Sequence, residues 1–174
     1  MIKNITLLFL LICSLSTQAA LQNNYILDAG DEIKILVYDE PDLTVELIIN
    51  DDGFINFPLV GAISVTGKTP SQVQEIIHDG LLGDYLLRPS VQVDVVSYRP
   101  FYIHGEVKKP GAYSYQPGMT VDQAVALAGG LTERASTDKI FIKKSISNKI
   151  VNKKVKLTSD ISAGDTITID QSFF

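Results

Sequence analysis

The alternation of apolar and polar positions divides the chain into short strands and two capped helices. Residues 25–37, YILDAGDEIKILV, supply a short apolar lead, a turn at Asp28-Ala29-Gly30-Asp31 and a strand. In that strand Ile33, Ile35 and Val37 share one face while Lys34 points the other way, the period of two of a half-buried strand. Residues 43–49 make a second apolar run. Asn50-Asp51-Asp52-Gly53 then predicts a hairpin turn, since Asp-Gly favours the primed turn that matches strand twist. Residues 54–57 return, and Pro58-Leu59-Val60-Gly61 leads into a short strand at 62–65. Thr69 at the N-cap, Pro70 at the first helical position and Gln72 three residues after Thr69 predict a helix. Its apolar stripe is Val73, Ile76, Ile77, Gly80 and Leu81, and Gly83 ends or kinks it. Val91, Val93 and Val95 alternate with Gln92 and Asp94 in a further strand. Residues 97–100, SYRP, are the expected boundary between two lobes.

Residues 101–132, FYIHGEVKKPGAYSYQPGMTVDQAVALAGGLT, carry the densest local signals. Residues 101–107 are β-rich, Lys108-Lys109-Pro110-Gly111 predicts a type II turn with positive φ at Gly111, and residues 112–115 return as a second strand. Thr120 and Gln123 have capping-box spacing, Val121, Ala124, Val125 and Ala128 form one apolar face, and Gly129-Gly130 stops the helix. Strands follow at 139–144, 149–156 and 166–169, with Asn148 in a turn. The lysines of 143–156 are expected to guard an exposed strand edge, interleaved with Ile150, Val151, Val155 and Leu157 in a half-buried pattern. One internal echo stands out: Ala29-Gly30-Asp31-x-Ile33-x-Ile35 recurs as Ala163-Gly164-Asp165-x-Ile167-x-Ile169. It is too short to establish a duplicated domain.

Length and charge narrow the classes. Of the 174 residues, 1–19 have the form of a signal peptide: Lys3, an apolar run at 7–12, and Thr17-Gln18-Ala19 as a small-x-small cleavage site. The run is too short to span a bilayer as a helix. The expectation is bacterial export. A cysteine near the end of a signal sequence, here Cys13, can be a lipoprotein's acylation site, but Ile12 stands where a lipoprotein signal places a small residue, so cleaved secretion is the better reading. Cleavage removes Cys13 and with it disulfides, thiol catalysis and cysteine-ligated zinc. The net charge of −5 becomes more negative without Lys3 and gives no support for nucleic-acid binding.

A search for chemistry returns little. His78 and His104 have no neighbouring ligand at metal spacing, and no G-x-S-x-G elbow or Gly-rich phosphate loop is present. The carboxylate pairs Asp31-Glu32, Asp39-Glu40 and Asp51-Asp52 sit where aspartate bonds its own backbone. No catalytic residue, cofactor or metal site is expected. Tyr98, Phe101, Tyr102, Tyr113 and Tyr115 gather aromatic surface, serving packing, subunit contact or a glycan.

Tyr25-x-Leu27-x-x-Gly30-Asp31-x-Ile33-x-Ile35-x-Val37, Asp52-Gly53-x-Ile55-x-Phe57-Pro58-Leu59-Val60-Gly61 and Val65-x-Gly67-x-Thr69 together resemble the polysaccharide biosynthesis/export domain. His104-Gly105-Glu106-Val107-x-x-Pro110-Gly111-x-Tyr113, Thr120-Val121 and Ala128-Gly129-Gly130-Leu131-Thr132 are similar to the soluble-ligand-binding β-grasp (SLBB) domain, with Gly164-Asp165-Thr166-Ile167 at its end. The resemblance implies an α+β chain: a signal peptide at 1–19, a small mixed-sheet export domain at 20–97 and a β-grasp-like SLBB domain at 98–174. It makes Gly30, Asp31, Asp52, Gly53, Pro58, Gly61, Gly67, Gly105, Pro110, Gly111, Gly129 and Gly130 shape-giving positions. Tyr98, Tyr102, Tyr113 and Tyr115 are left for polymer or subunit contact.

What the resemblance implies in function is a non-enzymatic, ring-forming homo-oligomer that conducts capsule or exopolysaccharide through the periplasm at the outer membrane. An inner-membrane polysaccharide copolymerase/kinase would supply synthesis and energy. The sequence departs from larger members in having one SLBB module, Ile12 in place of a small residue before Cys13, and only Gln171-Ser172-Phe173-Phe174 after Asp170, where they carry a membrane helix. A separate outer-membrane β-barrel is therefore an expected partner. The alternatives are a monomeric periplasmic glycan-binding module and a polymer hydrolase.

Overall fold

In the computed structural model, which describes residues 25–146 and 149–172, the two-residue alternation at the start becomes strand β1 (Glu32–Val37). Ile33, Ile35 and Val37 are buried, while Lys34 and Leu36 face out. The signal peptide, Cys13 and the turn at Asn148 lie outside the described residues. β1 is the centre of an antiparallel three-stranded sheet, flanked by β2 (Val45–Ile48) and β5 (Val91–Ser97) in the order β2-β1-β5. β3 (Phe54–Phe57) and β4 (Gly61–Ser64) pair separately as a two-stranded antiparallel sheet.

The second sheet overturns the hairpin expected at Asn50–Gly53. β2 pairs with β1 and β3 with β4, so the two strands flanking the Asp-Gly step belong to different sheets. Gly53 has φ +78°, but Asp51 and Asp52 keep negative φ, whereas a type I′ turn needs positive φ at both central residues. Gly53 still has a definite task. Its carbonyl accepts from the N–H of Val65 and of Thr66, closing the small sheet.

Helix α1 (Pro70–Leu81) forms where its cap predicts. The Gln72 N–H donates to Thr69 Oγ1 at 3.2 Å and the Thr69 N–H donates to Gln72 Oε1 at 2.9 Å, satisfying two of the free donors of the first turn. Val73, Ile77 and Leu81 are completely buried against the inner face of the first sheet, each stabilising by about 1.5–3 kcal/mol. Gly80 lets Val60 lie against the helix, since a Cβ there would stand 2.8 Å from Val60 Cγ1.

The second core is built from 101–169 and shares no buried residue with the first. β6 (Phe101–Gly105) pairs antiparallel with β7 (Gly111–Tyr113), and the full order is β7-β6-β10-β8-β9, with β8 Ala135–Ile146, β9 Lys149–Val155 and β10 Thr166–Gln171. β10 runs parallel to β6 and antiparallel to β8, so this sheet is mixed. Helix α2 (Val121–Leu127) packs Val121, Ala124 and Val125 into the same core. Thr120 N–H donates to Gln123 Oε1 at 3.0 Å, and Gly129 and Gly130 end the helix at φ +80° and +90°.

Two details differ from the pattern-based expectation. Gly111 does not take a positive φ; it opens β7, and the left-handed glycine of this hairpin is Gly105 at φ +92°. The cause is proximity: a Cβ on Gly105 would lie 2.1 Å from the Ile169 carbonyl oxygen of β10. β9 is indeed a sheet edge rich in lysine, but Ile150 and Val151 are not half-buried there, being 66% and 45% exposed.

Candidate functional site

The two Ala-Gly-Asp segments fold into the same turn. The Asp31 N–H donates to the Asp28 carbonyl at 3.2 Å while Asp31 Oδ2 accepts from the Asp28 N–H at 2.9 Å. The Asp165 N–H donates to the Ser162 carbonyl at 3.2 Å while Asp165 Oδ2 accepts from the Ser162 N–H at 2.8 Å. A carboxylate that bonds back onto its own turn is the reason aspartate suits this place. Each turn leads into a central strand, β1 or β10. Among the described residues Asp31 and Asp165 are the charged side chains that are buried.

Arg99 lies where the turns converge. Its backbone N–H donates to Asp31 Oδ1 at 2.9 Å, and its Nη1 donates to Asp31 Oδ2 at 2.7 Å and to the Tyr25 hydroxyl at 2.8 Å. That hydroxyl is 2.7 and 2.8 Å from the two Asp31 oxygens, to which it donates its proton. Burial, and then the bond to Asp31, raise the Tyr25 pKa above the ordinary tyrosine value. On the other side the guanidinium rests on the bare face of Gly164, where a Cβ would come 2.8 Å from Arg99 Nε. Asp165 pairs with Lys144 Nζ at 3.2 Å. Burial raises its pKa, opposed by the Ser162 N–H and by Lys144.

An aromatic chain runs beside this cluster. Tyr25 and Tyr98 meet edge to face at 4.8 Å, Tyr98 and Tyr115 at 5.7 Å, and the Arg99 guanidinium carbon stands 5.8 Å from the Tyr25 ring centre. A cavity of about 320 Å³ opens among Asp28, Arg99, Lys144, Ala163, Gly164 and Asp165. Arg99 thus bonds the turn before β1 and lies against the turn before β10. Both buried carboxylates are committed to cations and to their own turns. Among the described residues no group of three or more His, Cys, Asp or Glu side chains is placed to hold a metal ion.

Most of the shape-giving positions are dispersed in turns. Gly30 and Asp31 are at the junction; Asp52 caps the Phe54 N–H at 3.0 Å beside Gly53. Pro58 and Gly61 bound the β3–β4 turn, and Gly67 donates its N–H to the Leu27 carbonyl at 2.9 Å. Gly105, Pro110 and Gly111 shape the β6–β7 connection. That connection docks on the end of α2, with the Lys108 N–H on the Gly130 carbonyl and the Lys109 N–H on the Ala128 carbonyl.

The tyrosines separate by task. Tyr98 and Tyr115 sit in the junction, Tyr113 stacks on Phe101 at 6.0 Å and donates its hydroxyl to the Lys109 carbonyl, and Tyr102 is 48% exposed on the outer face of the sheet. Tyr113 also borders an open, mainly apolar groove of about 600 Å³ with Met119, Ala126 and Leu127. His104 Nε2 is 3.0 Å from Thr168 Oγ1 and His78 Nδ1 is 3.0 Å from Asp79 Oδ1. Arg99 and Lys144 were not singled out from sequence. The repeated Gly-Asp turn was their signal, because two buried carboxylates call for cations.

Comparison with known proteins agrees with this architecture. Residues 19–96 match the family model described as polysaccharide biosynthesis/export protein, and residues 100–148 match the SLBB domain. The exopolysaccharide production protein ExoF of Rhizobium meliloti (strain 1021) is 33% identical over 137 residues, covering 71% of this chain and 32% of that protein. The EPS I polysaccharide export outer membrane protein EpsA of Ralstonia nicotianae is 32% identical over 133 residues, 62% of this chain and 35% of the relative. The polysialic acid transport protein KpsD of Escherichia coli is 28% identical over 160 residues, 84% of this chain and 28% of the relative. The chain thus spans about a third of the length of these curated relatives. With an export domain and an SLBB domain matched in that order along one polypeptide, the chain belongs to the polysaccharide biosynthesis/export family.

Proposed function

We propose that this chain is a component of a capsule or exopolysaccharide export route, located in the periplasm at the outer membrane, and that it assembles into a ring that guides the polymer without transforming it. The observation that carries this reading is the ordered pair of export and SLBB matches, whose relatives are named for export, transport or production of polysaccharide. The division into domains at 20–97 and 98–174 belongs to the same proposal; the two separate cores support it. So do the open sheet edges, because closed cyclic symmetry buries repeated heterologous surfaces with no further partner for each. An inner-membrane copolymerase/kinase and a separate outer-membrane β-barrel complete the proposed route. Among the described residues no helix is long and apolar enough to cross a membrane.

Deletion of the gene tests the role. Polymer synthesis should continue while surface polymer disappears, and unchanged surface polymer would refute an export function. The open groove beside Tyr113, Met119 and Leu127 favours a second reading, a monomeric glycan-binding module. The mass of the purified chain separates the two. A strictly monomeric species at high concentration, with or without envelope partners, excludes the ring.

A further inference from the structure

Both main sheets have one face covered by their own core and one face left open. In the first sheet the outward positions are Glu32, Lys34 and Leu36 on β1, Glu46 and Ile48 on β2, and Gln92 and Asp94 on β5, with Val96 at the β-bulge. Leu36, Ile48 and Val96 are 38%, 61% and 49% exposed there. Three carboxylates stand against one lysine, so this face is apolar with an acidic balance.

The five-stranded sheet shows the opposite character. Register places Tyr102 and His104 of β6, Thr166 and Thr168 of β10, Phe141 and Lys143 of β8, and Asn152 and Lys154 of β9 on one side, away from buried Ile103, Ile142 and Ile167. Ile150 continues this side on the exposed edge strand. Lys143 and Lys154 make the balance basic, with Asp170 as the carboxylate at its end.

We propose that these two faces are the halves of one contact between copies of this chain, the acidic outer face of the β2-β1-β5 sheet seating on the basic outer face of the five-stranded sheet of the next copy. The inference rests on the ring reading and names its repeated surface. Charge complementarity selects the occupant. An anionic polymer would suit the basic face alone and leave the acidic, apolar face uncovered, whereas a second copy satisfies both. For a chain of net charge −5, copies repel unless opposite charges are brought into register, so the segregation of sign between the faces also gives direction to the encounter. Because the faces differ, the contact is heterologous and repeats head to tail. Exposed apolar side chains on both faces supply the area to be buried.

Charge exchange tests this. One variant carries Lys143→Glu with Lys154→Glu, the other Glu46→Lys with Asp94→Lys, all at exposed positions, with circular dichroism confirming the fold. Each variant alone should need at least tenfold more protein than wild type to assemble, and an equimolar mixture should assemble at the wild-type concentration, because each then offers the other two complementary faces. A wild-type assembly that both variants reproduce alone overturns the contact and leaves the ring reading standing. A wild type that stays monomeric overturns the ring reading and the contact with it. Dissociation without recovery on mixing also refutes the contact, as does a basic-face variant that assembles normally but no longer retains a polyuronate. A photo-activatable amino acid in place of Ile48 gives an independent readout: links to β8 or β9 of a second copy are expected, and links elsewhere or none in the assembled protein refute the pairing.

Discussion

Arg99 binds both oxygens of Asp31, through its backbone N–H at 2.9 Å and its Nη1 at 2.7 Å, across 68 residues of sequence. Asp31 is completely buried, and Arg99 reaches it from the segment joining β5 to β6. A backbone and a side-chain donor on one carboxylate fix both the position and the direction of residues 98–100. Those residues join β5 to β6, the step from the first core to the second.

Removing the cation should therefore be costly. Arg99→Ala leaves a buried carboxylate with only the Arg99 N–H, Tyr25 and its own turn as partners, and a loss of roughly 3–5 kcal/mol is expected on breaking a buried pair. Denaturant unfolding measures it. A loss under 1 kcal/mol would show that the turn, Tyr25 and the backbone N–H of residue 99 suffice to stabilise Asp31.

The glycines should separate into two grades. Gly67→Ala meets open space and bears only the left-handed backbone cost of about 1–2 kcal/mol. Gly105→Ala drives a Cβ into the Ile169 carbonyl, so β6 and β10 must part and a loss above about 4 kcal/mol, or failure to fold, is expected. Thermal unfolding of the two variants in parallel checks the order.

Half-buried Tyr25 and buried Asp165 make stability depend on pH. The folded-state pKa of Tyr25 is raised, so its contribution is whole below the unfolded tyrosine value of about 10 and is lost as pH rises beyond it. Tyr25→Phe should flatten the fall of Tm above pH 10. Asp165 also has a raised folded-state pKa, so its contribution is whole below about pH 3.9 and is lost as pH rises through the window above that value. Asp165→Asn should remove that acid-range slope. Unchanged slopes in both variants would contradict the burial argument.

The first helix offers a local measurement. Thr69→Ala removes one half of the capping box, and a cost of about 1 kcal/mol is expected from equilibrium unfolding. Gln72→Ala should cost less, since the Thr69 hydroxyl still accepts from the backbone N–H of residue 72.

What the sequence by itself determined is what neighbours along the chain decide. Ile33, Ile35 and Val37 mark a strand by their period of two, and Thr69 with Gln72 and Thr120 with Gln123 start helices within three residues. Gly129 and Gly130 stop a helix for an equally local reason. Pairing is different, because an open strand edge accepts any partner that the fold delivers. The Asp-Gly step at 52–53 could not announce that β2 would join β1 and β3 would join β4. Gly105 needs its freedom because of Ile169, which lies 64 positions later, and nothing near Gly105 records it. Arg99 is legible only in part. The echoed Ala-Gly-Asp turns were visible as a pattern, but only the tertiary structure brought both to one guanidinium, since burial of a carboxylate and the cation that compensates it are properties of the folded chain.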